Sequence, residues 1–231
     1  MRGEAGERLV HVSAGSVTLE GNLVLPDDAR GIVVFAHGSG SSRLSPRNRS
    51  VAQALNEATL ATLLIDLLTP QEAEVDLQWA HLRFNVDLLA ERLIGATDWL
   101  AQYPDTHLLR TGYFGASTGA AAALIAGAER PQRVGAIVSR GGRPDLAGPA
   151  LTQVRAPTLL IVGGADTAVI ELNRTAFMQL RGHKQLVIIP AATHLFEEPG
   201  ALGQVARLAR EWFERYLIPT AAGMTGAPTR G

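Results

Sequence analysis

The sequence feature that most constrains the fold lies at residues 112–119, which read Gly-Tyr-Phe-Gly-Ala-Ser-Thr-Gly. An apolar run ends at Phe114, and a helix-forming run rich in alanine begins at Ala120. The segment therefore predicts a Gly-x-Ser-x-Gly turn between a buried strand and a helix, with Ser117 in a strained position. The alternative is a tight turn that merely carries a serine. The strand before the turn and the helix after it favour the first interpretation.

The predicted place of Ser117 suits chemistry at a carbonyl group. A helix that begins at this serine points its free N–H groups and the positive end of its dipole at the hydroxyl. An anionic tetrahedral intermediate would be stabilised at that point. The segment therefore indicates that Ser117 is a nucleophile.

The rest of the chain predicts an α/β fold with a doubly wound, mostly parallel sheet that follows an antiparallel N-terminal hairpin. We predict one domain over residues 1–218, with no lid domain, and a flexible tail rich in Gly, Ala, Thr and Pro over 219–231. Strands are predicted at 9–12, 16–25, 31–36, 60–67, 108–114, 134–139, 157–163 and 185–190. Helices are predicted at 46–58, 77–100, 120–128, about 171–180 and from Pro199 onward, and 69–76 is predicted to be an acidic loop.

Composition excludes several classes of protein. The 231 residues are 46% hydrophobic and 19% charged, as is typical of a globular domain. A net charge of -1 gives no electrostatic reason to expect nucleic acid or a membrane as partner. The sequence contains no cysteine, which removes disulfides, thiolate–metal sites and a cysteine nucleophile together. Because the first residues lack the apolar segment of a signal peptide, we expect a cytoplasmic protein, and nothing implies a metal or organic cofactor.

A serine nucleophile needs a base, and the base needs an acid that orients it. Asp166 follows the predicted strand 157–163, and His194 follows the strand 185–190, so both are expected at the same sheet edge as Ser117. Two alternatives stay open for the acid. Asp166 could cap the next helix, and Asp145, which follows the preceding strand, could take its place. His194 could also be a loop histidine without a chemical role.

The segment His37-Gly38-Ser39-Gly40 follows the first central parallel strand and fits an oxyanion hole. We predict the N–H groups of Ser39 and Thr118 as its donors, with Gly40 as the substitute for Ser39. The alternative is a phosphate-binding loop. That alternative is disfavoured because the segment lacks the third glycine of a dinucleotide site and the Lys-Ser/Thr of a P-loop.

Substrate contacts are predicted from position. Arg140 and Arg143 follow a strand at the same edge and could clamp a carboxylate, although Arg140 could instead pair with an acid and Arg143 could be solvated. His37, Gly38 and Phe196 are the other candidates. The segments 67–70 and 79–84, together with Phe196, are candidate pocket walls, named from position only. The stretch 142–156 is too short for a helical lid, which favours an open site and small or short-chain substrates.

These motifs, in this order, resemble the α/β-hydrolase superfamily over roughly residues 9–217. The lidless layout is most similar to the dienelactone-hydrolase-like branch, and the resemblance implies Ser117 as nucleophile, Asp166 as acid and His194 as base. Two features depart from that branch. Authentic dienelactone hydrolases use a cysteine where this chain has Ser117, and they place an arginine soon after the catalytic histidine, where Leu-Phe-Glu-Glu stands here.

The sequence therefore predicts a serine hydrolase that acts on small carboxylic esters through a Ser-His-Asp triad and an acyl-enzyme. A thioesterase, a peptidase or a lactone hydrolase on the same triad are the alternatives within enzymes. A hydrolase-fold binding module without catalysis, or an interaction protein, are the alternatives outside them.

Overall fold

The computed structural model of the chain describes residues 6–218, and within that range it contains one eight-stranded sheet. The strands are β1 (Arg8–Ala14), β2 (Val17–Val24), β3 (Ile32–Ala36), β4 (Ala61–Ile65), β5 (Thr111–Ala116), β6 (Val134–Arg140), β7 (Thr158–Gly163) and β8 (Lys184–Ile189). Their spatial order is β1-β2-β4-β3-β5-β6-β7-β8. β2 pairs antiparallel with β1 and β4, and the remaining pairs are parallel. This sheet confirms the predicted fold class. The tail predicted at 219–231 lies outside the described residues.

Helices cover both faces of the sheet. They are α1 (Pro46–Glu57), α2 (Pro70–Trp79), α3 (Val86–Leu100), α4 (Thr118–Glu129), α5 (Thr167–Gln179) and α6 (Ala201–Leu217), with 3-10 helices at Leu82–Phe84 and Pro144–Gln153. α1 and α6 pack on one face, and α3 and α4 pack on the other.

The central strands are apolar throughout because each has a core on both sides. In β5, the side chain of Tyr113 belongs to the core beneath α3 and α4, whereas the next residue, Phe114, belongs to the core beneath α1 and α6. The same alternation in β6 sends Ile137 to the first core and Val138 to the second. With β5 and β6 fixed in this way, their carboxyl ends lie side by side, and Ala116 pairs with Arg140.

The predictions for residues 69–100 are wrong in detail. The segment predicted to be a loop forms α2, because Thr69 and Glu72 make a reciprocal capping box and Pro70 occupies the first turn. The helix predicted over 77–100 is two helices joined by a 3-10 turn. α2 ends where Ala80 adopts a left-handed conformation with φ of 51°, and the side chain of Asn85 caps the start of α3.

No helix within residues 6–218 combines the length and the apolar character needed to cross a membrane.

Candidate active site

Ser117 occupies a strained turn between β5 and α4. Its φ of 50° and ψ of -121° fall in a region that side-chain-bearing residues rarely adopt. Two backbone hydrogen bonds hold it there, because the Ser117 N–H donates to the Arg140 carbonyl (3.3 Å) and its own carbonyl accepts from the Arg143 N–H (3.0 Å). The end of β6 therefore fixes the turn that presents the serine.

The two glycines of the motif are required by close packing. A Cβ on Gly115 would lie 2.5 Å from the Cα of Ala120, and one on Gly119 would lie 2.6 Å from the carbonyl oxygen of His37. Neither distance is sterically possible. The first turn of α4 consequently rests directly on β5 and on the end of β3, which brings the loop after β3 close to the serine.

His194 and Asp166 meet at this edge, where His194 Nδ1 lies 2.6 Å from Asp166 Oδ2. Asp166 precedes α5 but its side chain makes no cap hydrogen bond to that helix, so the capping alternative does not describe it. The other candidate acid, Asp145, is held by Arg143 through bonds of 2.9 and 2.7 Å. Of the two aspartates, Asp166 is the one that orients the histidine.

The His194 ring lies beside the end of β6. A Cβ on Gly141 would be 3.6 Å from His194 Cε1 and 3.0 Å from the His194 carbonyl oxygen. Gly141 directly follows Arg140, whose carbonyl accepts the Ser117 N–H. The structure thus brings the histidine and the serine turn to the same strand end, as the sequence predicts for β5, β7 and β8.

The loop after β3 lies against the serine turn. A Cβ on Gly38 would be 3.0 Å from Ser117 Cβ. The Ser39 N–H, predicted to be an oxyanion donor, donates to the hydroxyl of Thr118 at 3.2 Å. The Thr118 N–H lies in the first turn of α4, where a helix offers no acceptor of its own. Gly40, the alternative donor, follows with φ of 73°. Both predicted N–H groups are therefore beside Ser117.

His37 has a structural place in this loop. Its Nε2 accepts the Leu67 N–H at 3.2 Å, so the proton lies on Nδ1, which donates to the Gly38 carbonyl at 3.0 Å. Burial lowers the pKa of His37, and the bond to Gly38 only partly offsets that effect. Both ring nitrogens of the neutral imidazole are used within the protein.

Three of the predicted substrate contacts make contacts within the protein. Phe196 is 1% exposed and packs in the core under α1 and α6. Arg140 is 6% exposed, with its guanidinium 5.8 Å from the Phe196 ring centroid and one long bond, of 3.4 Å, to Asn48. Arg143 is engaged by Asp145. Arg140 is therefore buried and Arg143 is paired, so neither guanidinium is free to clamp a carboxylate. The sequence could not reveal this, because a position after a strand does not show on which side a long side chain packs.

Arg140 is an unusual buried cation. Within residues 6–218 it makes no ion pair, and its Nε has no hydrogen-bond partner. Burial lowers the pKa of Arg140 to about 10, and the neighbouring charge of Arg47 acts in the same direction.

A cavity of about 500 Å³ is bordered by the loop after β3. Its lining includes Gly38 and Ser39 on one side and Leu77 and Arg83 on the other. Arg83 belongs to the segment 79–84, which the sequence indicates as a candidate pocket wall, but sequence reasoning missed Asp76, which anchors it. The capping box at the start of α2 is the signal that could have revealed a folded element here.

Asp76 is 2% exposed and is the anchor of that element. Its carboxylate accepts hydrogen bonds from the Leu82 N–H (2.7 Å) and the Arg83 N–H (3.3 Å) and pairs with the Arg83 guanidinium. Burial acts to raise the pKa of Asp76, but the bonds from Arg83 and Leu82 together outweigh it and hold that pKa below its ordinary value.

The described residues, 6–218, contain no group of three or more His, Asp or Glu side chains that could hold a metal ion.

Comparison with known proteins places this chain in a family. No family model matches the chain. The curated relatives include two Mycobacterium tuberculosis proteins, provisionally named phosphoribosyl transferases, that are 59% identical over 208 residues. These residues are 90% of this chain but 46% of the relatives, so the chain spans about half their length.

Among solved structures, Est1E from Butyrivibrio proteoclasticus shares the fold, with a TM-score of 0.74 at 16% identity over 90% of this chain and 98% of that one. The esterase Pf2001 from Pyrococcus furiosus does so with a TM-score of 0.75 at 18% identity over 92% of each chain. A dienelactone hydrolase from Anabaena variabilis is far more similar. It is 65% identical, with a TM-score of 0.92, over 93% of this chain and 100% of that one. At that identity and coverage, the chain belongs to the dienelactone-hydrolase-like family of α/β hydrolases.

Proposed function

We propose that this hydrolase is a serine enzyme that cleaves small or short-chain carboxylic esters. The observation that supports the proposal is that two features lie at the end of β6: the strained turn of Ser117, and a histidine bonded to a half-buried aspartate. A nucleophile, a base and an acid that orients the base are the three parts that acyl transfer requires.

In the proposed reaction, Ser117 Oγ attacks the ester carbonyl while His194 Nε2 takes the hydroxyl proton. Asp166 keeps the His194 Nδ1 proton oriented and stabilises the imidazolium that forms. The N–H groups of Ser39 and Thr118 hold the oxyanion. When the tetrahedral intermediate collapses, the C–O bond breaks and the alcohol leaves with the proton from His194. Water then attacks the acyl-enzyme by the same route and releases the acid.

The size of the substrate is proposed from the cavity that the loop after β3 borders through Gly38 and Ser39; Ser117 and His194 lie outside its lining. A volume of about 500 Å³ lies within the range of small-molecule sites. Its wall includes the apolar side chains of Leu68, Leu77 and Leu89. The connection from β6 to β7 holds a 3-10 helix (Pro144–Gln153) in place of a lid domain. These features favour a short acyl or aryl group.

A lactone is the second candidate substrate, because the chain is 65% identical to a dienelactone hydrolase. An anionic lactone is disfavoured by the charges at the site. Arg143 is bound to Asp145, Arg140 is buried, and Glu197 and Glu198 follow the histidine. The transferase name belongs to relatives that are about twice as long as the part they share with this chain, so it supports no reaction at Ser117.

Labelling with a fluorophosphonate tests the nucleophile. We expect one adduct by intact mass on the parent protein and none on Ser117→Ala. Ser50→Ala, which removes an exposed serine of α1, is the matched control and should label like the parent. No adduct on the parent, or equal labelling of Ser117→Ala, would contradict the proposal and favour a binding module.

Substrate profiling tests the reaction class. We expect kcat/KM for p-nitrophenyl acetate to exceed that for an anionic dienelactone at pH 7, with both activities absent from Ser117→Ala. A higher kcat/KM for the lactone would make a lactone the proposed substrate class in place of an ester. A higher kcat/KM for an acetyl thioester would make the enzyme a thioesterase.

A further inference from the structure

The side chain of Ser39 links the predicted oxyanion hole to a separate part of the chain. Ser39 Oγ lies 3.0 Å from the Arg83 carbonyl oxygen and 2.9 Å from Thr118 Oγ1. A carbonyl can only accept, so the Ser39 hydroxyl donates to Arg83 and accepts from the Thr118 hydroxyl. The Thr118 hydroxyl in turn accepts the Ser39 N–H at 3.2 Å. The direction of every bond in this network is therefore determined.

The Arg83 carbonyl is itself held in place by Asp76. Two backbone N–H groups, those of Leu82 and Arg83, donate to the Asp76 carboxylate, and the Arg83 guanidinium pairs with the same group. A further bond of 2.8 Å joins Arg83 Nη2 to the Asp76 carbonyl oxygen. The Asp76 side chain is 2% exposed, so its carboxylate is shielded from water, and ion pairs and hydrogen bonds are stronger in such surroundings. The 3-10 helix Leu82–Phe84 cannot shift without breaking several of these bonds.

We propose that Asp76 and Arg83 are positioning residues for the oxyanion hole, which they act on through the Ser39 hydroxyl. The inference rests on the proposed function. Asp76 fixes the Arg83 carbonyl, that carbonyl fixes the Ser39 side chain, and the Ser39 side chain fixes the direction of the Ser39 N–H. In this account neither Asp76 nor Arg83 contacts the reacting carbonyl, although both line the cavity beside the loop after β3.

An oxyanion hole needs its N–H donors to be held at precise positions. Its donors stabilise the transition state only when they lie about 2.7–3.1 Å from the developing oxyanion. Ser39 belongs to a loop with exposed Gly40 next to it, and a loop alone holds an N–H less precisely than a helix or strand does. In the free protein the Ser39 N–H bonds to Thr118 Oγ1, beside Ser117. The oxyanion takes over this N–H during the reaction, while the bond from Ser39 Oγ to Arg83 keeps the loop in place.

The first test compares Asp76→Asn with Glu74→Gln, which makes the same change of carboxylate to amide on the exposed side of α2. We expect kcat for p-nitrophenyl acetate to fall about 10- to 100-fold in Asp76→Asn, with KM within about twofold, since one donor is misplaced. The inhibition constant of a boronic acid, which mimics the tetrahedral intermediate, should rise in parallel. Glu74→Gln should match the parent. If Asp76→Asn does not fold, Arg83→Gln breaks the same ion pair at a side chain that is 25% exposed.

A double-mutant cycle separates positioning from a general loss of structure. Ser39→Ala removes the hydroxyl but keeps the N–H, and we expect it to lower kcat about as much as Asp76→Asn does. Because Asp76 acts through that hydroxyl, adding Asp76→Asn to Ser39→Ala should lower kcat by less than about twofold more. Multiplicative losses in the double variant would overturn the proposal.

Hydrogen exchange at the Ser39 amide provides a readout that does not depend on catalysis. We expect exchange to quicken about 10-fold in Asp76→Asn and to stay unchanged in Glu74→Gln, because the Ser39–Thr118 bond loosens. Unchanged exchange, in a parent whose activity depends on Ser117, would overturn the positioning role alone. Faster exchange in a parent without Ser117-dependent activity would refute the proposed function and leave the mechanical link intact.

Discussion

Asp166 Oδ2 lies 2.6 Å from His194 Nδ1, and the two residues follow the adjacent parallel strands β7 and β8. The aspartate side chain is 16% exposed, compared with 39% for the histidine. The acid is thus shielded while the ring remains accessible from the open side of the site. Such an arrangement holds the histidine in one tautomer, with Nε2 as the free acceptor.

Asp166→Asn tests which aspartate serves the histidine. An amide can present its NH₂ group to Nδ1 and so favour the wrong tautomer, and we expect kcat to fall about 10⁴-fold with the fold intact. Asp145→Asn weakens only the pair with Arg143 and should lower kcat less than about tenfold. Kinetics with p-nitrophenyl acetate and the thermal midpoint of each variant measure the two effects. Equal losses in both variants would contradict the assignment of Asp166.

Backbone strain at Ser117 predicts a trade between stability and activity. Glycine adopts the observed φ of 50° and ψ of -121° without a steric penalty, whereas strain of this kind costs about 1–3 kcal/mol for other residues. We therefore expect Ser117→Gly to be inactive, yet more stable than Ser117→Ala by about 1 kcal/mol or more. Urea denaturation measures the difference. A Ser117→Gly variant less stable than Ser117→Ala would show that the turn is not strained.

Substitution by alanine should lower the stability of the protein at Gly119 and raise it at Gly203. A Cβ on Gly119 would meet the His37 carbonyl at 2.6 Å, so we expect Gly119→Ala to lose about 1–3 kcal/mol of stability or more. Gly203 is exposed in α6 with nothing within 4 Å of an added Cβ, and Gly203→Ala should gain about 0.5–1 kcal/mol. Denaturant unfolding of both variants tests the packing of α4 on β3. A neutral Gly119→Ala would refute that contact.

The sheet and the serine turn could be predicted because their signals are local. Apolar runs are typical of strands buried on both faces, and Gly115 and Gly119 stand where backbone elements touch. Strand ends placed Asp166 and His194 near Ser117 without any knowledge of side chains. The choice between Asp166 and Asp145 was open in sequence because both follow strands, and it depends on which carboxylate the histidine and Arg143 reach.

Two features could not be predicted for physical reasons. The direction of a long side chain is set by packing, so the burial of Arg140 against Phe196 has no signature in the residue pattern. The link from Asp76 to Ser39 joins parts of the chain that are far apart in sequence and depends on a backbone carbonyl, which every residue has. Of this link, only the start of α2 is indicated by the sequence, through the capping box of Thr69 and Glu72.

The lowered pKa of His37 predicts a pH dependence of stability. Its folded pKa lies below the unfolded value of about 6.5, so the unfolded chain binds more protons as the pH falls below 6.5, and the folded state loses stability there. The slope from one such group is at most about 1.4 kcal/mol per pH unit. In His37→Gln, whose amide oxygen can still accept the Leu67 N–H, we expect a shallower slope between pH 5 and 6.5. His107→Gln, at an exposed ring, should keep the parent slope, and an unchanged slope in His37→Gln would refute the argument.

Arg140 gives the last prediction, because it is a buried cation with no ion-pair partner within residues 6–218, and such burial costs free energy. Methionine keeps the apolar stem that arginine has near the backbone, removes the charged guanidinium and adapts easily to irregular core space. We expect Arg140→Met to raise the free energy of unfolding by about 1–4 kcal/mol. Arg174→Met, whose side chain is 57% exposed and pairs with Glu171, should change it by less than about 0.5 kcal/mol. Denaturant titration measures both, and a loss of several kcal/mol in Arg140→Met would show that bonds to Asn48 and Phe196 outweigh the cost of burying the charge.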